Sequence, residues 1–210
     1  MDFSLELPTG QLATAILATV TASVTKPILN HSVRSFIFAQ LVAASDGCLQ
    51  DPAYDTDLLF AATVMHDLGT GEQAPGKSRF EVEGADLAAK LLSAHGVAAP
   101  DVDRVWEAIA LHTSAGIAER RGLLSFLTRE GVAVDFGRDV ERVMEWAPQI
   151  HAAYPRLAMA RSLTDAIVAQ AARSPNAAPY YSFPSALLHE RSSTGTTALE
   201  QATIASPWGE

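Results

Sequence analysis

Apolar residues recur along this chain mostly at intervals of three and four, and β-type alternation never lasts more than a few residues. That spacing predicts helices. The first covers "QLATAILATVTASV" (11–24) and stops near Pro27. In "SVRSFIFAQLVAAS" (32–45), Val33, Phe36, Ile37, Gln40 and Leu41 share one stripe, as in an amphipathic helix. "YDTDLLFAATVMHD" (54–67) is apolar all round from Leu58 to Met65, which predicts a central helix covered on every side and ended by Gly69 and Gly71. "FEVEGADLAAKLLSAHG" (80–96) stops at Gly96, and "DVDRVWEAIALHTS" (101–114) starts with Asp101 as its cap and carries Val102, Val105, Trp106 and Ile109 on one face. A shorter helix over 119–130, another over about 138–152 and a long one over about 156–173 complete the series.

Beyond Arg173 the pattern changes. Proline and aromatic residues in "SPNAAPYYSFPS" predict an irregular strap, and "RSSTGTTALEQATIASPWGE" (191–210) predicts a flexible tail. The expected fold class is all-α: one helical domain over 1–173, followed by an irregular segment over 174–210.

Composition narrows the function classes. A chain of 210 residues with 48% hydrophobic positions suits one domain with a sizeable core. A formal net charge of −9 and the lack of any Lys/Arg run disfavour nucleic acid and anionic membrane as partners. Cys48 is the only cysteine, which excludes an internal disulfide and a CxxC metal site, and its loop setting predicts no chemistry. "MDFSLELPTG" lacks the order of a signal peptide, and the apolar run at 12–24 is too short and too rich in Thr and Ser to span a bilayer. These features predict a soluble, cytoplasmic protein with a small-molecule partner. A homo-oligomer stays open, because the apolar first helix could pack within the domain or across a dimer.

One pair stands apart. His66–Asp67 ends the most apolar helix of the chain, and no Lys or Arg follows until Lys77. A buried, ionised carboxylate without a partner costs several kcal/mol, so such a group is paired, protonated or metal-bound. Three further residues sit in similar surroundings: His31 on the inward side of the 32–45 helix, His112 on the apolar stripe of 101–114, and Asp135 within "GVAVDFG". Taken singly, these are ordinary core histidines and a turn carboxylate. Taken together, two imidazoles and two carboxylates from separate helices suit a divalent ion such as Zn²⁺, Fe²⁺ or Mn²⁺. Water at an open position of such an ion is acidified, which points to hydrolysis or hydration.

The order H…HD…D at His31, His66–Asp67 and Asp135 resembles the HD-domain superfamily, and its cyanamide-hydratase-like branch in particular. The stretches that carry the resemblance are "KPILNHSVRSFIFA" (26–39), "VMHDLGT" (64–70), "SRFEVEGADLA" (78–88), "VWEAIALHTS" (105–114), "GVAVDFG" (131–137) and "YPRLA" (154–158). The resemblance implies that His31, His66, Asp67 and Asp135 ligate a metal, zinc above iron or manganese. It places His112 beside the metal as a catalytic residue, with His112 or Asp67 moving protons. Fungal members hydrate the nitrile of cyanamide to urea, so the expected activity is hydration or hydrolysis of a small nitrogen compound. The chain departs from them at Thr113–Ser114, where they carry Gln–Asp, and at Val132, where they carry a hydroxyl residue. Those departures leave the substrate open among a nitrile, a small amide and a nucleotide-derived group.

The alternative is HD-type phosphohydrolysis, which needs cations near the metal. Lys77, Arg79, Arg120, Arg121 and Arg138 are the only nearby options in sequence. A two-iron oxygenase needs more histidines than the one spare, His112, and a degenerate interaction module would lack a ligand. Glu81 matches a family position but equally suits the dipole of its helix. Arg34, one turn after His31, either supports the site or pairs on the surface, with the surface reading preferred; His95 is read as a helix-end residue and Trp106 as core, and no role is expected for His151 or His189.

Overall fold

The computed structural model describes residues 6–209, so the first five residues of the acidic N-terminal stretch lie outside it. Among the described residues there are ten α-helices and no strand. The all-α expectation holds. The helices are α1 (Gln11–Ser23), α2 (Lys26–Ser45), α3 (Thr56–Met65), α4 (Phe80–Ala94), α5 (Ala99–Leu111), α6 (Leu123–Asp135), α7 (Ala147–Ala153), α8 (Met159–Ala171), α9 (Phe183–Thr194) and α10 (Ala198–Ile204).

The all-apolar run becomes the central helix: every residue of α3 from Leu58 to Met65 is buried. Phe60 meets Phe36 of α2 edge to face, with ring centres 5.1 Å apart. The apolar first helix packs within the chain, with Ile16 and Val20 buried and α1 against α3. The most extensive helix pairing is α2 with α6. Gly131 makes it possible, because a Cβ there would fall on the Ser35 carbonyl and the Ala39 side chain. A second, smaller cluster joins Ile28, Phe80, Met159, Leu163, Ile167 and Leu187, and so ties α8 and α9 to the starts of α2 and α4.

Several boundaries differ from those predicted. Pro27 does not lie in a break; it occupies the first turn of α2, where a missing N–H costs nothing, so His31 sits inside the helix. Asp101 is not the cap of α5 but a first-turn carboxylate, since Ala98 is the capping position and Pro100 enters the first turn. The helix expected over 119–130 runs from Leu123 to Asp135, after Gly122 at φ 91° breaks the preceding turn. The stretch 138–152 is not one helix: a 3₁₀ turn, Val140–Arg142, precedes α7, and Pro148 restricts α7 to a start near that point.

The C-terminal segment is the largest correction. Residues 183–204 are neither strap nor flexible tail, because they form α9 and α10. Ser182 caps α9, and Thr197 with Glu200 closes a full capping box on α10. No helix among the described residues is long and apolar enough to cross a membrane.

Candidate metal centre

Three helix ends and one helix interior converge on the site. His31 projects from α2; His66 is the capping residue at the end of α3, with Asp67 next to it; His112 caps the end of α5; and Asp135 is the last residue of α6. All five are buried. Behind Asp67 the chain turns through Leu68–Thr70, and Gly69 lies so close to α4 that a Cβ would strike the Phe80 carbonyl and the Gly84 amide. The His–Asp pair is therefore pinned from behind by backbone.

Each of the three histidines is oriented by its Nδ1. That of His66 donates to the Thr63 carbonyl at 2.7 Å, that of His112 to the Ile109 carbonyl at 2.6 Å, and that of His31 to Asp135 Oδ2 at 2.6 Å. A carbonyl only accepts, so in their neutral forms these rings present bare Nε2 atoms to one another. Nε2 of His31 and His66 are 3.2 Å apart. Asp67 Oδ2 lies 3.0 Å from His66 Nε2 and 3.6 Å from His31 Nε2, while its Oδ1 is 3.8 Å from His112 Nε2. The 3.0 Å approach is out of line for a hydrogen bond, and Asp67 Oδ2 has no donor.

Four acceptor atoms thus face one another in a dry interior. Only a proton or a cation relieves that arrangement. No Lys or Arg among the described residues pairs with Asp67. The donor set fits a divalent ion: His31, His66 and Asp67 offer ligand atoms that all lie within 4.8 Å of one another.

The fourth expected ligand is placed differently. Asp135 stands behind His31, its carboxylate held by Arg34 through Nε on Oδ1 and Nη2 on Oδ2, both at 2.7 Å. Arg156 Nη1 adds bonds to the Asp135 carbonyl at 3.0 Å and to Oδ1 at 3.2 Å. Arg34 is therefore not the surface residue expected from its charge; it is fully buried. Trp208 braces the same helix end, donating from Nε1 to the Val134 carbonyl at 2.6 Å, and Arg156 Nε reaches the Gly209 carbonyl at 2.9 Å.

The electrostatics follow from these neighbours. Burial pushes Asp67 up, but the imidazoles, His66 first, outweigh it and hold the carboxyl at about 2. Burial of Asp135 is likewise outweighed, chiefly by Arg34 and then by His31, so that it lies well below the ordinary carboxylate range. Burial lowers His31 despite the pull of Asp135, and burial together with His66 lowers His112 to about 4. Burial also opposes protonation of His66, yet Asp67 beside it raises its pKa above the usual value.

The centre opens into a cavity of about 170 Å³. One wall is a face of α6 built from Arg129, Val132, Ala133 and Phe136, spaced i, i+3, i+4, i+7. Leu163 and Ile167 of α8, Phe183 of α9 and Leu199 of α10 complete the apolar lining. Of the positions at which the sequence departs from the pattern it resembles, Thr113 and Val132 line this cavity. Glu81 is buried next to Thr113, accepting from its Oγ1 at 2.7 Å and pairing with Arg79.

The sequence favours the wrong one of two readings for Arg34, and it does not mark Arg129, Arg156 or the lining from α9 and α10. For Arg129 the signal is its spacing from Val132 and Phe136, which a helix end at 130 conceals. For α10 the signal was the Thr197–Glu200 pair at capping-box spacing.

Comparison with known proteins bears on the family. Residues 28–172 match the family model of the HD domain. Among curated proteins, Cyanamide hydratase DDI2 and Cyanamide hydratase DDI3 of Saccharomyces cerevisiae are each 30% identical to this chain over 125 residues, 56% of it and 54% of the relative. The chain thus spans about half the length of the curated relatives it matches.

Proposed function

The chain belongs to the HD-domain family, and from that premise we propose that it is a metal-dependent hydratase or hydrolase of a small nitrogen compound, with hydration of cyanamide to urea, or of a related nitrile to its amide, as its reaction. The observation that carries this reading is the convergence of imidazole Nε2 atoms on an Asp67 oxygen that makes no in-line hydrogen bond, at the end of a small, largely apolar cavity. His31, His66 and Asp67 would hold the ion, zinc above iron or manganese. When bound, it supplies a Lewis acid that polarises a nitrile and acidifies water.

The chain's own groups do the rest. His112 Nε2, unprotonated and fixed by the Ile109 carbonyl, accepts a hydrogen bond from the water that adds to the nitrile carbon. Both water protons must then reach the nitrile nitrogen, the first to give the imidic acid and the second, from its hydroxyl, to give the amide carbonyl; His112 or Asp67 relays them. Asp135 acts through His31, holding its Nδ1–H so that Nε2 points into the centre. Ligation by Asp135 itself would require an oxygen to leave its guanidinium partners. The apolar wall from α8, α9 and α10 excludes bulk water, so that only positioned water reacts.

Two arginines on the cavity wall, Arg129 and Arg138, favour a second reading, phosphoester hydrolysis. Metal analysis of purified protein, followed by urea and ammonia assays over cyanamide and small nitriles, separates the two. Stoichiometric metal with urea release supports the hydratase. Less than about a tenth of an equivalent of metal, with no recovery on adding zinc, overturns both.

A further inference from the structure

Arg129 is an unusual wall residue for a protein that takes a neutral nitrile. It is 13% exposed, its Nε is buried without a hydrogen-bond partner, and its nearest carboxylate, Glu119, is 3.8 Å away. Arg138, from the segment after α6, lines the same cavity and acts on Arg129 as a like charge. Arg138 pairs loosely with Asp139, at 3.9 Å, and Glu130 acts on both arginines from outside the cavity lining. Two guanidinium groups on one cavity wall repel unless an anion lies between them, and their forked donors match an oxyanion.

Size points the same way. A cavity of about 170 Å³ has room for roughly five water-sized groups at ~30 Å³ each. Cyanamide has three heavy atoms and would leave much of that space unfilled. Position adds a direction. Arg129 lies on the same face of α6 as Phe136 but near the other end of the stripe, and Asp135 is six residues further along, about 9 Å of helix axis at ~1.5 Å per residue.

We infer that Arg129, with Arg138, forms an oxyanion subsite, and that the substrate carries a carboxylate or comparable oxyanion a few bonds from the carbon that is attacked. The nature of the attack rests on the proposed hydratase reading; the subsite does not. Arg129 is then a specificity-determining residue, binding the end of the substrate that does not react.

The subsite is tested on full-length protein stripped of metal with chelator, by titration calorimetry with 3-cyanopropionate, inorganic phosphate and neutral propionitrile. The expected result is binding of the anions, weakened tenfold or more in Arg129→Gln, restored in part in Arg129→Lys, with propionitrile unaffected. Thermal melting of each variant checks the fold. In metal-loaded enzyme, Arg129→Gln should raise KM for 3-cyanopropionate tenfold or more, well beyond any change in KM for propionitrile, with little change in kcat. Turnover of p-nitrophenyl phosphate with none of 3-cyanopropionate would identify the oxyanion as a phosphate and uphold the subsite while overturning the hydratase reading. Equal anion affinity in wild type and folded Arg129→Gln, or no anion binding at millimolar concentration, overturns the subsite even if cyanamide is hydrated.

Discussion

Arg34 and Asp135, 101 residues apart in sequence, meet as a fully buried bidentate pair with both contacts at 2.7 Å. Removing one member of such a pair leaves an uncompensated charge in the interior. Arg34→Met should therefore destabilise the protein by about 3 to 5 kcal/mol, as read by urea denaturation. Arg34→Lys keeps the charge without the fork and should fall between the two.

Removal of a donor from the centre should act on the metal rather than on the fold. His66→Ala is expected to reduce bound metal below about a tenth of an equivalent and to abolish activity while the helical circular-dichroism signal persists. A variant with full activity would place the site elsewhere.

Asp135→Asn separates a brace from a ligand. As a brace of His31 it should retain metal with affinity lowered about 10- to 100-fold, alongside a loss of stability from the strandedness of Arg34. Loss of metal as complete as in His66→Ala would put Asp135 among the ligands.

Glu83 gives a pH-dependent prediction away from the centre. Burial pushes its carboxyl up, but the amides of Ser78, Gly76 and Lys77, with Gln170, outweigh burial and hold its pKa below the ordinary value of 4.5. A depressed carboxylate contributes stability that is complete above its unfolded pKa and is lost as pH falls through the folded one. Glu83→Gln should cost about 1 to 3 kcal/mol at pH 7. In urea melts the gap to wild type should hold steady at neutral pH and close below pH 4.5. A gap that widened on acidification would contradict the assignment.

Gly69→Ala tests the backbone contact behind the His–Asp pair. Its Cβ would meet the Phe80 carbonyl and the Gly84 amide, so the turn must move. The expected effect is about 1 to 3 kcal/mol of destabilisation together with weakened metal binding, because Asp67 is two residues upstream.

Much of this was legible in the sequence, for a physical reason. The core of α3 and the stripes of α2 and α5 are local patterns, and His66–Asp67 stands out because nothing nearby could neutralise it. What could not be read was long-range. The charge of Arg34 signals a surface until Asp135 is known to lie opposite, and nothing local marks Arg156 as its second partner. The helices α9 and α10 are short and polar enough that their caps, not their apolar content, define them. Their role as cavity wall depends on packing against α8, which no periodicity within 183–204 expresses.

The support behind Asp135 also sets an order of assembly during biosynthesis. The bond from His31 to Asp135 closes a separation of 104 residues, and the brace reaches further downstream, to Arg156 and Trp208. Contacts between distant positions form late, after the entropy of closing the intervening chain has been overcome. A nascent chain that has emerged only as far as residue 135 holds every histidine and carboxylate of the centre, yet lacks the residues that fix the end of α6. Its Asp135 would stand beside Arg34 without a settled helix end. The brace behind Asp135 is therefore complete only when translation has delivered the stretch around Trp208, so a ribosome stalled before it would display the donors without that support.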